Sequence, residues 1–254
     1  MELIVKKHTR IDLLDAVRGV AILAMVLYHA LFDLTDIFGI RVPLFAYLEP
    51  LEPPFAGAFI LLAGLSCRFS HNNMRRALRV LALAVAVSAV TVLFLPTEAI
   101  WFGILHFMGV AILLYIPCRR LLDNAPMAVS LPVLSVLFAL TYTLPSSGLF
   151  GIPGLFGIAL PSSWFSTPFL FWLGFPNPSF VSADYFPLLP WLFLFFIGAV
   201  LGSPVKEHRL PEQFYTLRVP VLATAGRNTL LIYALHQPIL YGVMSLVFYL
   251  ANSH

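Results

Sequence analysis

The sequence predicts an all-α, polytopic integral membrane helix bundle of about seven transmembrane helices, with the N-terminus cytoplasmic. Three observations carry this reading. Only 11% of the 254 residues are charged and 60% are hydrophobic, against roughly 25% charged in an ordinary soluble domain; mean hydropathy is +0.90. Apolar runs long enough to cross a bilayer recur along the whole chain. The loops between them alternate in charge. A membrane barrel would need short alternating segments, and these runs are too long and unbroken. The net charge of +3 sits in loops, where it sets orientation, and does not describe a nucleic-acid surface.

The spans run roughly over 13–34, 51–67, 77–95, 99–117, 127–145, 186–202 and 229–250. The opening "MELIVKKHTR" is not a secretory leader, because the apolar stretch behind it is interrupted by charge and too long, so the first span is read as retained. Lys6, Lys7 and Arg10 precede span 1, and Asp36, Glu49 and Glu52 follow it against a single Arg41. Arg68, Arg75, Arg76 and Arg79 follow span 2, Glu98 follows span 3, and Arg119 and Arg120 follow span 4. The stretch 146–185 has no Lys or Arg, and Lys206, Arg209, Arg218 and Arg227 follow span 6. This alternation places the C-terminus outside, and an eighth span would break it. The stretch 146–185 is rich in Gly, Pro, Phe and Trp, too broken for a span, and reads as an outer cap or a re-entrant element. Cys67 and Cys118 fall near cytoplasmic span ends, with no metal spacing and no disulfide framework.

Span 1, "RIDLLDAVRGVAILAMVLYHALFDL", is unusual for a helix bound for lipid. Arg18 and His29 lie eleven positions apart, within about 20° of one helix face. Asp33 is one turn beyond His29, and Asp15 nearly one turn before Arg18. An ionisable group near a helix centre costs about 2.5–3.5 kcal/mol on insertion, so the stripe should face protein or a wet cavity. A carboxylate one turn from a histidine can fix its tautomer and raise its basicity. The plainer readings stay open: Arg18 snorkels to the interface with Asp15, Asp33 is an outer-end residue, and His29 is a hydrogen-bonded core histidine.

Three further constellations stand out. In "GRNTLLIYALHQPIL", Asn228 suits an N-cap, and His236 and Gln237 sit near mid-span just before Pro238. Pro238 frees the carbonyl of Ala234, which either side chain could satisfy instead of serving chemistry. In "IWFGILHFMG", His106 is flanked by Gly103 and Gly109, which permit close helix approach; a structural hydrogen bond is the alternative role. In "DYFPLLPW", Asp184 and Tyr185 mark either an aromatic belt at a helix entry or an acceptor-recognition surface. The chain has no Gly-rich phosphate loop, HExxH, GxSxG or CxxC, and nothing in the histidine spacing argues for a metal.

The pieces "LLDAVRGVAILAMVLYHALFDL", "FAGAFILLAGLS", "IWFGILHFMG", "DYFPLLPW" and "GRNTLLIYALHQPIL" run in order from residue 13 to 240. Together they resemble the catalytic-domain family of heparan-alpha-glucosaminide N-acetyltransferase in its short prokaryotic form. The first piece also looks like the opening helix of the wider membrane acyltransferase group, whose hallmark is an arginine, ten residues, then a histidine. The lysosomal branch, as aligned here, uses a histidine further on, but residues 35–60 of this chain hold none; only the arginine–histidine pattern fits.

The resemblance implies a single acyltransferase-like domain over 1–254, passing an acyl group, acetyl in the first instance, from cytoplasmic acetyl-CoA to a hydroxyl or amine of an extracytoplasmic sugar or glycan. It implies catalytic roles for His29, Asp33 and His236, and donor binding by Arg18 with Arg75, Arg76 and Arg79 as helpers. His106, Gln237, Asp184 and Tyr185 would complete the acceptor pocket. No metal is expected. The expected partners are membrane lipid, acyl-CoA and the acceptor, with no nucleic acid; a homodimer is compatible, and the expected location is a bacterial or archaeal plasma membrane. Two rivals remain: a small proton-coupled transporter using His29, Asp33 and His236 as a relay, although no internal repeat is visible, and a non-enzymatic membrane scaffold.

Overall fold

The computed structural model describes residues 11–253; the N-terminal Lys6, Lys7 and Arg10 used for orientation lie outside the described residues. Among the described residues, seven helices are long and apolar enough to cross a membrane: Asp12–Ile37, Phe45–Ser66, Asn73–Phe94, Ile104–Asn124, Met127–Ser147, Leu188–Lys206 and Thr229–Asn252. The protein is an all-α polytopic integral membrane protein, as its apolar runs predict. The chain divides into two compact units, one of residues 1–59 with 208–254 and one of residues 60–207.

In the first unit, α1 (Asp12–Phe32) continues into a π-helical segment, Asp33–Ile37. Two short helices follow, α2 (Phe45–Leu48) and a 3₁₀ turn, before α3 (Glu52–Ser66) begins. The returning chain supplies α10 (Glu212–Thr216), α11 (Pro220–Arg227) and α12 (Thr229–Asn252). The sequence reading treats 203–228 as a loop; α11 forms there with Pro220 at its first turn, where the missing N–H costs nothing. α1 packs along α11 backbone to backbone. A Cβ on Gly19 would fall on the carbonyl of Leu222, and one on Gly226 on the carbonyl of Asp15. Gly226 is therefore a close-approach residue within α11. Asn228 occupies the N-cap position of α12, but its side chain makes no cap hydrogen bond. Its Nδ2 instead donates backwards to the Thr224 carbonyl at 2.9 Å, because α11 ends immediately before it.

The second unit holds the rest of α3, then α4 (Asn73–Phe94), α5 (Ile104–Asn124), α6 (Met127–Thr141), α7 (Leu144–Ser147), α8 (Ser162–Phe165) and α9 (Leu188–Lys206). Here too glycines set a helix contact: a Cβ on Gly64 would strike the Phe195 carbonyl, and one on Gly198 the Leu61 carbonyl. Gly109 meets the Leu81 side chain, which brings α5 against α4. α5 starts at Ile104, five residues later than the hydrophobicity of 99–103 suggests, because that stretch is extended and Phe102 bridges to Tyr185. The Pro- and Gly-rich stretch 146–185 forms no span. It folds into an antiparallel hairpin, β1 (Leu149–Ile152) with β2 (Phe156–Ala159), followed by short turns. Trp164 and Phe165 both pack edge-on against Phe175.

Candidate active site

The polar stripe of α1 resolves into two separate sites. Near its N-terminal end, Asp12 and Asp15 are buried and each meets an arginine from the far end of the sequence. Arg227 Nη2 donates to Asp12 Oδ1 at 2.7 Å and its Nε to Asp15 Oδ2 at 3.4 Å. Arg218 Nη1 donates to Asp12 Oδ2 at 2.9 Å. Arg18, the residue expected to bind the donor, pairs with Asp15 Oδ1 at 2.6 Å one turn back on the same helix. Among the described residues, two acids and three arginines give this cluster one net positive charge. The sequence reading assigns Arg218 and Arg227 only to topology; no local pattern announces partners some two hundred residues away.

The second site lies near the other end of α1 and on α12. His29 and His236 approach edge to face, with ring centroids 5.0 Å apart. His29 Nδ1 lies 3.0 Å from the Met25 carbonyl, and His236 Nδ1 lies 2.7 Å from the Tyr233 carbonyl. A carbonyl oxygen only accepts, so in both rings Nδ1 carries the hydrogen and the neutral ring keeps its lone pair on Nε2. The expectation that Asp33 orients His29 gives way here: the Met25 carbonyl fixes the His29 tautomer, because i−4 backbone lies directly within reach of Nδ1. Asp33 instead accepts from Gln237 Nε2 at 2.8 Å and is fully buried. It stands where α1 widens into the π segment, with Phe38 N donating to the Asp33 carbonyl. Such single π turns recur at functional sites. Neither His236 nor Gln237 serves the carbonyl freed by Pro238; one reaches Tyr233 and the other Asp33.

Beside this pair Tyr28 packs edge-on against His29, and Glu52 lies near its hydroxyl. Glu52 carries no signal in the sequence beyond loop charge.

The remaining expected site residues lie in the second unit. His106 Nε2 is 3.5 Å from the Ser88 hydroxyl and its ring stacks on Phe102. Asp184 Oδ2 accepts from the Ile104 amide at 3.0 Å, capping α5. Tyr185 donates its hydroxyl to the Phe171 carbonyl at 2.6 Å, and burial pushes its phenol pKa up. Arg75 and Arg79 are exposed on the first turns of α4. Arg76 is directed at Cys67 Sγ and the Ala63 carbonyl. Cys67 and Cys118 are free thiols. Burial pushes the Cys67 thiol up to about 11 against the opposing pull of Arg76 and Arg68, which keeps it protonated and unreactive. Arg68, itself buried, pairs with Asp123 and donates to the Ala199 carbonyl at 2.7 Å. Among the described residues no group of three or more His, Cys, Asp or Glu side chains could hold a metal.

Seven spans and an intramembrane imidazole pair flanked by a buried carboxylate define a polytopic membrane protein of acid–base character. The family profile of heparan-alpha-glucosaminide N-acetyltransferase, catalytic, matches residues 10–238. The chain belongs to that family, and membership makes it a membrane acyltransferase. No curated protein and no solved structure matches it.

Proposed function

We propose that the protein transfers an acetyl group from cytoplasmic acetyl-CoA to a hydroxyl or amine of a sugar or glycan on the outer side of the membrane. The observation that carries this reading is the His29–His236 pair, both rings fixed as Nδ1–H tautomers. With the hydrogen on Nδ1, His29 keeps its lone pair on Nε2, which is what a general base needs before its substrate arrives. As the acceptor oxygen or nitrogen attacks the thioester carbonyl, its proton passes to His29 Nε2. The new C–O or C–N bond forms, the C–S bond breaks, and a proton returns to the departing sulfur. The net reaction consumes and releases no proton.

Arg18 lies eleven residues before His29, about 16 Å along the helix, a distance the pantetheine arm of CoA can cover. The net positive cluster around Arg18, with Arg75, Arg76 and Arg79 as further candidates, suits the nucleotide phosphates. Gln237 and His236 are the proposed acceptor contacts of the first unit; His106, Asp184 and Tyr185, in the second unit, are candidates for acceptor contact considered by themselves. The proposed setting is the plasma membrane of a bacterium or archaeon, as a monomer or homodimer. A transporter that relays protons through the same groups is the second reading, favoured by the fully buried Asp33 carboxylate.

Acetyl-CoA separates the two. Binding and hydrolysis by purified wild type and His29→Ala, measured side by side, should show a wild type that binds and turns over and a variant that only binds. A wild type that ignores acetyl-CoA would remove the acyltransferase reading and leave the relay.

A further inference from the structure

Three buried polar atoms at the imidazole site have no hydrogen-bond partner in the protein: Asp33 Oδ2, His236 Nε2 and Gln237 Oε1. Their hydrogen bonds settle what each one is. Gln237 Nε2 is committed to Asp33 Oδ1, so the unpaired Gln237 atom is its carbonyl oxygen, an acceptor. His236 Nδ1 is committed to Tyr233, so the unpaired His236 nitrogen carries a lone pair. The second carboxylate oxygen of Asp33 is an acceptor whenever the group is ionised. With Asp33 ionised, all three accept and none donates.

This is an expensive arrangement. An unsatisfied buried acceptor is destabilising, more so when charged, and apolar surroundings offer no relief. A fold free to minimise its energy would place an amide or hydroxyl donor here. Asp33 also lacks a cation: among the described residues no arginine or lysine pairs with it, and its side-chain contact is Gln237, with His236 nearby. At the other end of α1, by contrast, Asp12 and Asp15 are each within reach of arginine. Asp33 is thus a carboxylate whose counter-charge has to come from the histidines.

We propose that Asp33 is a positioning residue for the acetyl transfer: its uncompensated charge holds the positive charge that the His29–His236 pair acquires when it takes the acceptor's proton, while Gln237 clamps the carboxylate in place. The inference rests on the acyltransferase reading. During the step, the O–H or N–H proton of the acceptor moves to an imidazole Nε2, giving an imidazolium beside the Asp33 carboxylate. The proton then leaves for the CoA sulfur, and the site returns to three acceptors. Asp33 touches neither substrate and forms no covalent bond; it lowers the energy of the charged intermediate arrangement, an effect that is strong where water is excluded.

Asp33→Asn tests this with two readouts that a packing role would move together. Asparagine keeps the shape and still accepts from Gln237 Nε2, and it replaces the unpaired Oδ2 acceptor with an NH₂ group. The full-length protein in detergent should therefore unfold at the same temperature as wild type or a few degrees higher. Its kcat for acetyl transfer or acetyl-CoA hydrolysis should fall by about 100-fold, with the KM for acetyl-CoA within about twofold. The double variant Asp33→Asn with Gln237→Glu reverses the amide–carboxylate pair and returns a carboxylate to the cluster; it should recover about tenfold of the lost rate. Activity of Asp33→Asn within threefold of wild type overturns the proposal. So does a lowered unfolding temperature with a proportionate loss of activity, which would make Asp33 a packing residue. Should the single variant not accumulate, the double variant carries the test, and one that folds with no measurable turnover overturns the proposal. A wild type without turnover in the same assay removes the underlying acyltransferase reading, whereas an active wild type beside an active Asp33→Asn removes only the role of Asp33.

Discussion

At the N-terminal end of α1, Asp12 and Asp15 meet Arg18, Arg218 and Arg227, and glycines on both sides let α1 and α11 touch through their backbones. Near the other end of the same helix and in the π segment that follows it, His29 and Asp33 meet only neutral groups, and three of the polar atoms gathered there stay unpaired among the described residues. Both ends place ionisable side chains on one helical face, and insertion penalises both. One end recovers that cost through ion pairs and hydrogen bonds. The other leaves it standing. Paired charge holds two helices together; unpaired acceptors held rigidly are ready for a ligand or a proton, and such local strain is characteristic of working sites.

The largest expected effect lies at the unpaired end. His29→Ala should lower transfer by about 10²–10⁴-fold, the usual contribution of a positioned base, and change the unfolding temperature less, since one backbone hydrogen bond and two edge-on ring contacts are lost. A folded variant with wild-type turnover would place the base elsewhere and dissolve the contrast. Next in size is a change at the paired end that should do the reverse. Gly226→Val puts a branched side chain onto the Asp15 carbonyl, and backbone cannot yield cheaply, so a loss of about 1–3 kcal/mol or more is expected. Thermal unfolding and expression level read it. Whatever protein folds should retain turnover per molecule; a selective loss of turnover would mean that the α1–α11 contact sets the histidines directly.

Arg18→Ala falls between the two ends in meaning and below both in size. Arg18 joins the ion-paired cluster, which predicts a modest fall in stability, yet the cluster's net charge also suits a phosphate. Acetyl-CoA affinity should fall about tenfold, the weight of one charge-assisted hydrogen bond, with stability less affected. Isothermal titration of the variant against wild type decides this, and unchanged affinity would return Arg18 to a purely structural role.

Much of this architecture is legible in the sequence, and what is not has definite physical causes. Apolar runs place all seven spans because span length and hydrophobicity are local properties; the error at α5 arises because Ala99–Gly103 is apolar enough to span but is held extended by its bridge to Tyr185. The periodicity of α1 correctly brings Asp15 to Arg18, an i,i+3 pair. It cannot say that the stripe divides in two, because the dividing partners, Arg218, Arg227 and Gln237, arrive from the opposite end of the chain. The i+4 spacing of His29 and Asp33 suggests a direct contact that does not form; the π turn at Asp33 and the Met25 carbonyl redirect both side chains. α11 was within reach of a closer reading, since Pro220 and the run to Gly226 carry a helix-start signal and small residues at the right places.

The smallest expected effect concerns the junction between α11 and α12, where the paired end hands the chain on to the histidine-bearing helix. An N-cap asparagine ordinarily contributes about 1 kcal/mol when replaced by alanine. At Asn228 the side chain does not cap; it donates to Thr224 behind it, and the residue is exposed. Its own carbonyl still receives the Ile232 amide, and Thr229 closes the preceding turn through Gly226, so the backbone makes the entry without the side chain. Asn228→Ala should therefore change stability by less than about 0.5 kcal/mol and leave turnover untouched, as measured by thermal unfolding and acetyl-CoA hydrolysis. A loss near the full value of a cap would show that the asparagine amide, rather than the Gly19–Gly226 contact, fixes where α12 begins, and with it the height at which His236 meets His29.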